Sequence, residues 1–253
     1  MTFELVTIPC LEDNYAFLLH ADGKTALIDA PDSGPIDAEL SSRGWSLDEV
    51  WITHHHWDHV DGLPGLQKTH SPIIRGAAAD TERLPNLDHA YADGETFDFA
   101  GHEVKVIDVS GHTVGHVAFY VESTGMVFTA DSLMALGCGR LFEGTAEQMW
   151  NSLSKLASLP PDTIVCSGHE YTQANGRFAL TIEPENPDLQ ARIADISSKR
   201  QNGTPTVPSL LSLELATNPF LRAGLQNVKD DLDMSKESDV AVFAEIRRRK
   251  DSF

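Results

Sequence analysis

Between Thr53 and His59 the chain reads Thr-His-His-His-Trp-Asp-His, and this stretch restricts the fold more tightly than any other. The residues before it, Glu49-Val50-Trp51-Ile52, are mostly apolar, as a buried strand would be. Those after it, Asp61-Gly62-Leu63-Pro64-Gly65-Leu66, read as a turn running into a short helix. A strand therefore ends in His54, His56, Asp58 and His59. Such groups held this close are costly unless something pairs with them, and a divalent cation would do so. In extended chain His54 and His56 face one side, while Asp58 and His59 follow one turn later and can reach a second position. One metal takes about three protein ligands plus an open position, so four donors in six residues suggest two metals.

Three further donors follow strands elsewhere. His112 lies in Ser110-Gly111-His112-Thr113, Asp131 in Thr129-Ala130-Asp131-Ser132, and His169 in Ser167-Gly168-His169-Glu170. Strand ends on one edge of a sheet converge, and Gly111 and Gly168 let the backbone turn tightly beside them. The candidates are now seven: His54, His56, Asp58, His59, His112, Asp131 and His169. Two sets of three plus a shared carboxylate describe a two-metal site. Imidazole and carboxylate suit zinc, iron or manganese; zinc is taken first. A lone histidine is more often an ordinary core or surface residue, and His20, His70, His89 and His102 are read that way. His55 and His116 are kept out of the ligand set, with support of the ligands by hydrogen bonding as their functional reading.

Charge and composition narrow the partners. The 253-residue chain carries a formal charge of −19, which argues against nucleic acid or an anionic membrane. No apolar run is long enough to span a bilayer, and the first ten residues lack the basic segment of a signal peptide. Cys10, Cys138 and Cys166 are dispersed without a Cys-x-x-Cys spacing, which suits a reducing cytoplasm. A monomer is the default expectation.

Phe3 to Ile8, Tyr15 to Leu19, Thr25 to Ile28, Val50 to Thr53 and Pro72 to Arg75 read as a first group of strands, with a helix over Pro35 to Arg43. Residues 77–94 are polar and stay unassigned. A second group follows at Glu103 to Val109, His116 to Glu122, Met126 to Thr129 and Thr163 to Cys166, with a helix over Gly144 to Ser158. From Tyr171 onward helices alone are expected, over Gln173 to Ile182, Pro187 to Gln201 and Lys236 to Lys250. The pattern is α/β, with two sheets packed together and helices outside, and a boundary near residue 172.

The histidine-rich stretch and the later His, Asp and His at strand ends resemble the metallo-β-lactamase fold superfamily. Within it the chain resembles the glyoxalase II family, the hydroxyacylglutathione hydrolases. Matching segments are Thr53 to His59, Gly137-Cys138-Gly139-Arg140-Leu141-Phe142-Glu143-Gly144-Thr145, Gly168-His169-Glu170-Tyr171-Thr172, and the ending Arg247-Arg248-x-Lys250-Asp251-x-Phe253. The resemblance spans essentially the whole chain. It implies an αββα sandwich with a C-terminal α-helical domain, divided into a catalytic domain over 1–172 and a substrate-binding domain over 173–253. It places His54, His56 and His112 on one metal and Asp58, His59 and His169 on the other, with Asp131 bridging.

The implied reaction is hydrolysis of S-2-hydroxyacylglutathione, chiefly S-D-lactoylglutathione to D-lactate and glutathione, in methylglyoxal detoxification. Two metals about 3.5–4 Å apart can hold a hydroxide between them, and Asp58 would orient it besides binding metal. A thiolate leaving group needs little help from an acid, because a thiol's pKa is near 8.5. Glutathione carries two carboxylates, and Arg140, Arg247 and Lys250 are the cations expected to receive them. From spacing alone the run Arg247 to Lys250 reads as a complement to a helix C-terminus or a solvated tail; the resemblance assigns Arg247 and Lys250 to substrate. Tyr171 and Asn175 are candidates for its peptide part. Some family members have Lys at the position of Arg140 and Tyr at that of Phe142, so the glutathione contacts differ in detail. Rival readings are a lactonase, a one-iron persulfide dioxygenase that would not need Asp58 and His59, and a non-catalytic protein that would be expected to have lost ligands.

Overall fold

A computed structural model describes residues 3–253. They form two compact units, one comprising residues up to Asp108 with Val114–Thr129, the other Val109–Thr113 with Ala130–Phe253.

The first unit begins with three antiparallel strands, β1 (Phe3–Cys10), β2 (Asn14–Ala21) and β3 (Lys24–Ile28). Helix α1 (Ser33–Arg43) then carries the chain over to β4 (Glu49–Trp51), which pairs in parallel with β3. Asp32 caps α1 by accepting from Gly34 N, and Gly44 ends it in the left-handed region. Two short helices, α2 (Trp57–Val60) and α3 (Leu63–Thr69), lead to β5 (Ile73–Ala77), and β6 (His89–Tyr91) closes the sheet, both parallel to their neighbours. In parallel strands the carboxyl ends lie side by side, and the register Ile28↔Trp51 and Trp51↔Arg75 makes the segments after β3, β4 and β5 neighbours. This is what brings Asp29, the histidine stretch and Asp80 together.

The second layer of this unit is the antiparallel run β7 (Thr96–Phe99), β8 (His102–Asp108), β9 (Val117–Val121) and β10 (Met126–Ala130). The layers meet on Trp51, which is fully buried, with its ring at 5.1–6.4 Å from those of Phe97, Phe99, Phe119 and Phe128. Burying each such side chain contributes about 1.5–3 kcal/mol. Trp51 also donates its indole N–H to Glu49 at 2.8 Å, and Glu49 in turn holds Arg75, so the polar groups in this layer are paired.

The second unit opens with a tight hairpin, β11 (Leu133–Met134) and β12 (Gly137–Cys138). Helix α4 (Ala146–Ala157) follows, started by a reciprocal cap in which Thr145 and Gln148 each accept the other's backbone N–H. It buries Met149, Leu153 and Leu156, the period expected from sequence. After β13 (Ile164–Ser167) come α5 (Thr172–Ile182) and α6 (Pro187–Gln201), which pack through Leu136, Ala179, Leu189 and Ile196. The remaining elements are β14 (Ser209–Leu210), α7 (Leu211–Thr217), α8 (Gln226–Asp231) and α9 (Asp239–Ser252). The expectation of helices alone after Tyr171 is corrected by β14, which pairs antiparallel with β13 over two residues.

The hairpin is gripped from several sides. Leu136 N donates to Glu214, Asn218 donates to the carbonyls of Met134 and Gly137, Asn175 to that of Ala135, and Arg247 to that of Cys138. Glu214 is fully buried and also receives Arg192, Ser209 and Asn218, which offsets the cost of removing its charge from water. Helices distant in sequence thereby hold in place the hairpin that connects Asp131 with Arg140.

Cys10, Cys138 and Cys166 are all buried and none forms a disulfide. Burial pushes the Cys138 thiol up to about 11. Among the described residues no helix is long and apolar enough to cross a membrane.

Candidate metal centre

In the first unit the backbone leaves β4 and turns at once into the donors. His54 and His59 are buried, and His54 Nε2 and His56 Nδ1 stand 3.2 Å apart. His59 Nε2 and Asp58 Oδ2 are 3.8 Å apart. Asn14, on β2, donates to both the main-chain carbonyl and Oδ2 of Asp58 at 3.1 Å, which fixes the direction of that carboxylate.

The hydrogen bonds behind the rings decide which nitrogen faces outward. Asp29, just past β3, accepts from Thr53 N and Thr53 Oγ1 and from His59 Nδ1, each at 2.8 Å. Thr53 Oγ1 directs its hydroxyl hydrogen to Asp29, so it accepts from His54 Nδ1 at 3.0 Å. Both imidazoles are thereby held with N–H at Nδ1 and a lone pair at Nε2, the form that binds a cation. Asp29 adopts φ of +57°, uncommon for a residue with a side chain, so the local backbone is strained to deliver this carboxylate.

The second unit carries His112, Asp131 and His169. Asp131 Oδ2 lies 3.4 Å from His112 Nε2 and its Oδ1 lies 3.2 Å from His169 Nε2, so one carboxylate faces two imidazoles through different oxygens. His112 Nδ1 donates to the carbonyl of Arg140 at 2.9 Å, again leaving a lone pair at Nε2. Two glycines make this approach feasible. A Cβ on Gly139 would come within 2.8 Å of His112 Nδ1 and 2.1 Å of Asp131 O, while Gly111, at φ +151°, would meet Met149 at 2.7 Å. Ala130, one residue before Asp131, has φ of +40°.

The donors fit divalent cations: uncharged imidazole nitrogens oriented by outer hydrogen bonds, with carboxylates between them and no thiolate among the clustered ligands. These histidine and aspartate clusters are compatible with a binuclear metal site. Asp29 and Asn14 are the supporting residues the sequence reading passed over. Asp29 was open to the same strand-end rule as Asp131, since it directly follows an apolar strand. Asn14 opens β2 after a turn and carried no such signal.

The excluded histidines have other partners. His20 bonds Thr25 Oγ1, His70 bonds Asp37 and His102 bonds Ser123. His89 lies on the short edge strand β6. His55 is held by Asp80 at 2.8 Å, and His116 stacks on the His54 ring at 4.5 Å, so both brace the ligand-bearing segment.

The expected substrate residues lie in the second unit. Arg140 is exposed, and Tyr171 stacks flat on the His169 ring at 4.7 Å. Phe142, also exposed, meets the His112 ring edge-on at 5.2 Å. Arg247 is buried on α9, bonded to Cys138 O and paired with Asp251 at 2.8 Å, with its guanidinium over Phe220. Lys250 is half-buried, its ammonium 5.3 Å from the centre of the Phe178 ring and 5.4 Å from that of Phe253. Asn175 is turned inward onto the hairpin, with its amide bonded to Ala135 O.

Comparison with known proteins defines the class first. Residues 11–169 match the family model of the metallo-β-lactamase superfamily. The BLEG-1 B3 metallo-β-lactamase superposes with a TM-score of 0.65 at 20% identity, over 86% of this chain and 99% of that one, so the fold is that of the superfamily.

Within that class the chain belongs to the hydroxyacylglutathione hydrolase family. Residues 170–253 match the model described as hydroxyacylglutathione hydrolase C-terminus. Proteins named hydroxyacylglutathione hydrolase from Ruegeria pomeroyi and Roseobacter denitrificans are each 62% identical to it over 100% of both chains.

Proposed function

We infer that this protein is a thioester hydrolase that cleaves S-(2-hydroxyacyl)glutathiones, chiefly S-D-lactoylglutathione, to the hydroxy acid and glutathione, as in methylglyoxal detoxification. The observation that carries the reading is full-length identity of 62% to proteins bearing that name, C-terminal helices included. His54, His56 and His112 are assigned to one cation and Asp58, His59 and His169 to the other, with Asp131 bridging. The crowding of His54, His56, Asp58 and His59 in the first unit and the split engagement of Asp131 with His112 and His169 in the second support this division. Zinc is the proposed metal, with iron and manganese as alternatives that the same donors accept.

A bound pair of divalent cations supplies Lewis acidity, making water nucleophilic near neutral pH and drawing charge from an acyl oxygen. Asp58, steadied by Asn14, would orient the attacking water besides holding a cation. Asp29 and Thr53 keep His54 and His59 in the ligating tautomer as charge shifts during the reaction. The thiol leaves as a thiolate, so no protein acid is required. Arg140, Lys250 and Arg247 receive the carboxylates of glutathione, Tyr171 takes its peptide part, and Asn175 holds the hairpin behind them. The proposed arrangement is a catalytic domain over 1–172 with a substrate-binding domain over 173–253, acting as a monomer in the cytoplasm.

The test is a thioester assay with metal analysis. S-D-lactoylglutathione should be hydrolysed far faster than a coenzyme A thioester, by protein holding about two metals per chain. Equal rates, or preference for coenzyme A, would overturn the substrate assignment.

Lys250 provides a pH signature. Burial lowers its pKa from the ordinary lysine value, and the neighbouring cations Arg247, Arg177 and Arg140 lower it further. A lowered pKa means the charge is lost at lower pH than in a free lysine. Carboxylate binding should therefore weaken, and KM rise, as pH climbs through that value. In Lys250→Met we expect KM raised about tenfold at neutral pH, with this alkaline limb gone. A KM–pH profile identical to wild type would remove Lys250 from the site.

A further inference from the structure

In an acid-rich chain most basic side chains find a carboxylate. In the second unit Arg192, Arg200, Arg222 and Arg248 are each held by a glutamate. Arg177 on α5 is an exception: it is exposed and makes no hydrogen bond or ion pair among the described residues. It directly precedes Phe178, the ring over which the Lys250 ammonium sits at 5.3 Å, and that ammonium likewise has no hydrogen-bond acceptor among the described residues. Arg140 has only a long 3.8 Å pairing with Asp251, whose same oxygen is already taken by Arg247 at 2.8 Å. Arg177, Arg140 and Arg247 all act on Lys250 by direct charge repulsion, and Asp251 is the single anion acting on it. Arg247 and Arg140 thus share the one carboxylate, and Lys250 feels repulsion from three arginines, in a protein whose formal charge is −19. Like charges gathered this way are unfavourable unless an anion joins them.

We propose that Arg177 is a specificity-determining residue of this protein, receiving a carboxylate of the thiol half of the substrate beside Lys250. The inference rests on the glutathione-thioester reading above and adds to it a residue that lies outside every motif carrying the family resemblance. A fourth cation widens the receiving surface, so it favours thiols with more than one carboxylate over singly charged or neutral ones.

Arg177→Ala tests this cleanly, because an exposed side chain without partners can be removed with little cost to folding. KM for S-D-lactoylglutathione should rise about five- to tenfold with kcat within about twofold, and Arg177→Lys should recover part of the loss. An S-lactoyl thioester of N-acetylcysteamine, which lacks carboxylates on its thiol half, should be turned over equally by wild type and variant. The Kd of non-hydrolysable S-methylglutathione, measured by calorimetry, should weaken by the same factor as KM rises. Unchanged KM and Kd would return Arg177 to the solvated surface, and an equal loss on the neutral thioester would make its role structural. Wild-type protein that binds S-methylglutathione through Arg177 but fails to hydrolyse the lactoyl thioester would sink the hydrolase reading and leave this inference standing. Wild-type protein that does not bind it would overturn both.

Discussion

Replacing Asp58 with Ala should lower turnover of S-D-lactoylglutathione by more than about 100-fold and reduce bound metal from about two to about one per chain. The size follows from two losses at one position. Asp58 is the carboxylate of its donor set, 3.8 Å from His59 Nε2, and it is the group that Asn14 orients through two hydrogen bonds. Folding should be largely preserved, since the side chain is partly exposed and its main-chain carbonyl still accepts from Asn14. Metal analysis and steady-state kinetics on the same preparation separate the two losses. Turnover close to wild type would mean that this side chain neither holds metal nor orients water.

Asp29→Asn should cost nearly as much from one layer further out. Three donors converge on Asp29: Thr53 N, Thr53 Oγ1 and His59 Nδ1. An amide has one acceptor oxygen, so its NH2 must face at least one of those donors. If it faces His59, the ring is driven to the tautomer protonated at Nε2, which cannot bind metal. If it faces Thr53 N, a buried main-chain N–H loses its acceptor. We expect a 10- to 100-fold loss of metal affinity, read by competition with a chelator, and destabilisation of about 2–3 kcal/mol. Unchanged metal affinity would show that the outer carboxylate does not set the ring orientation.

How far these residues could be read in advance follows from the range of the forces that place them. The candidate donors were legible because four of them crowd into six residues soon after β4 and the other three come within four residues of a strand end, and a short apolar run is a local signal. His54, His56, Asp58 and His59 stood out by their crowding, His112, Asp131 and His169 by their place after strands, and Asp29 falls under the second rule as well. Strands β6, β11, β12 and β14 were not legible, because two or three residues are too few to show a period and their pairing depends on distant partners. Residues Thr96–Phe99 do alternate exposed and buried, but four residues after a turn give only a weak pattern. Glu214 could not be picked out, since its partners include Leu136 and Arg192, 78 and 22 residues away. Arg177 was hidden for the same reason: nothing beside it in sequence marks it, and it stands out only once the folded chain sets it among other cations.

The rear hydrogen bonds of the imidazoles have a consequence for how the protein acquires its ions. His54, His59 and His112 are aimed by a threonine, an aspartate and a peptide carbonyl, none of which waits for a metal. The rings are therefore set when the chain folds, and an incoming ion meets a finished socket rather than assembling one. A socket built in this way discriminates by size and charge more than by chemical identity, which leaves the choice between kindred divalent ions to whichever the cell keeps most freely exchangeable.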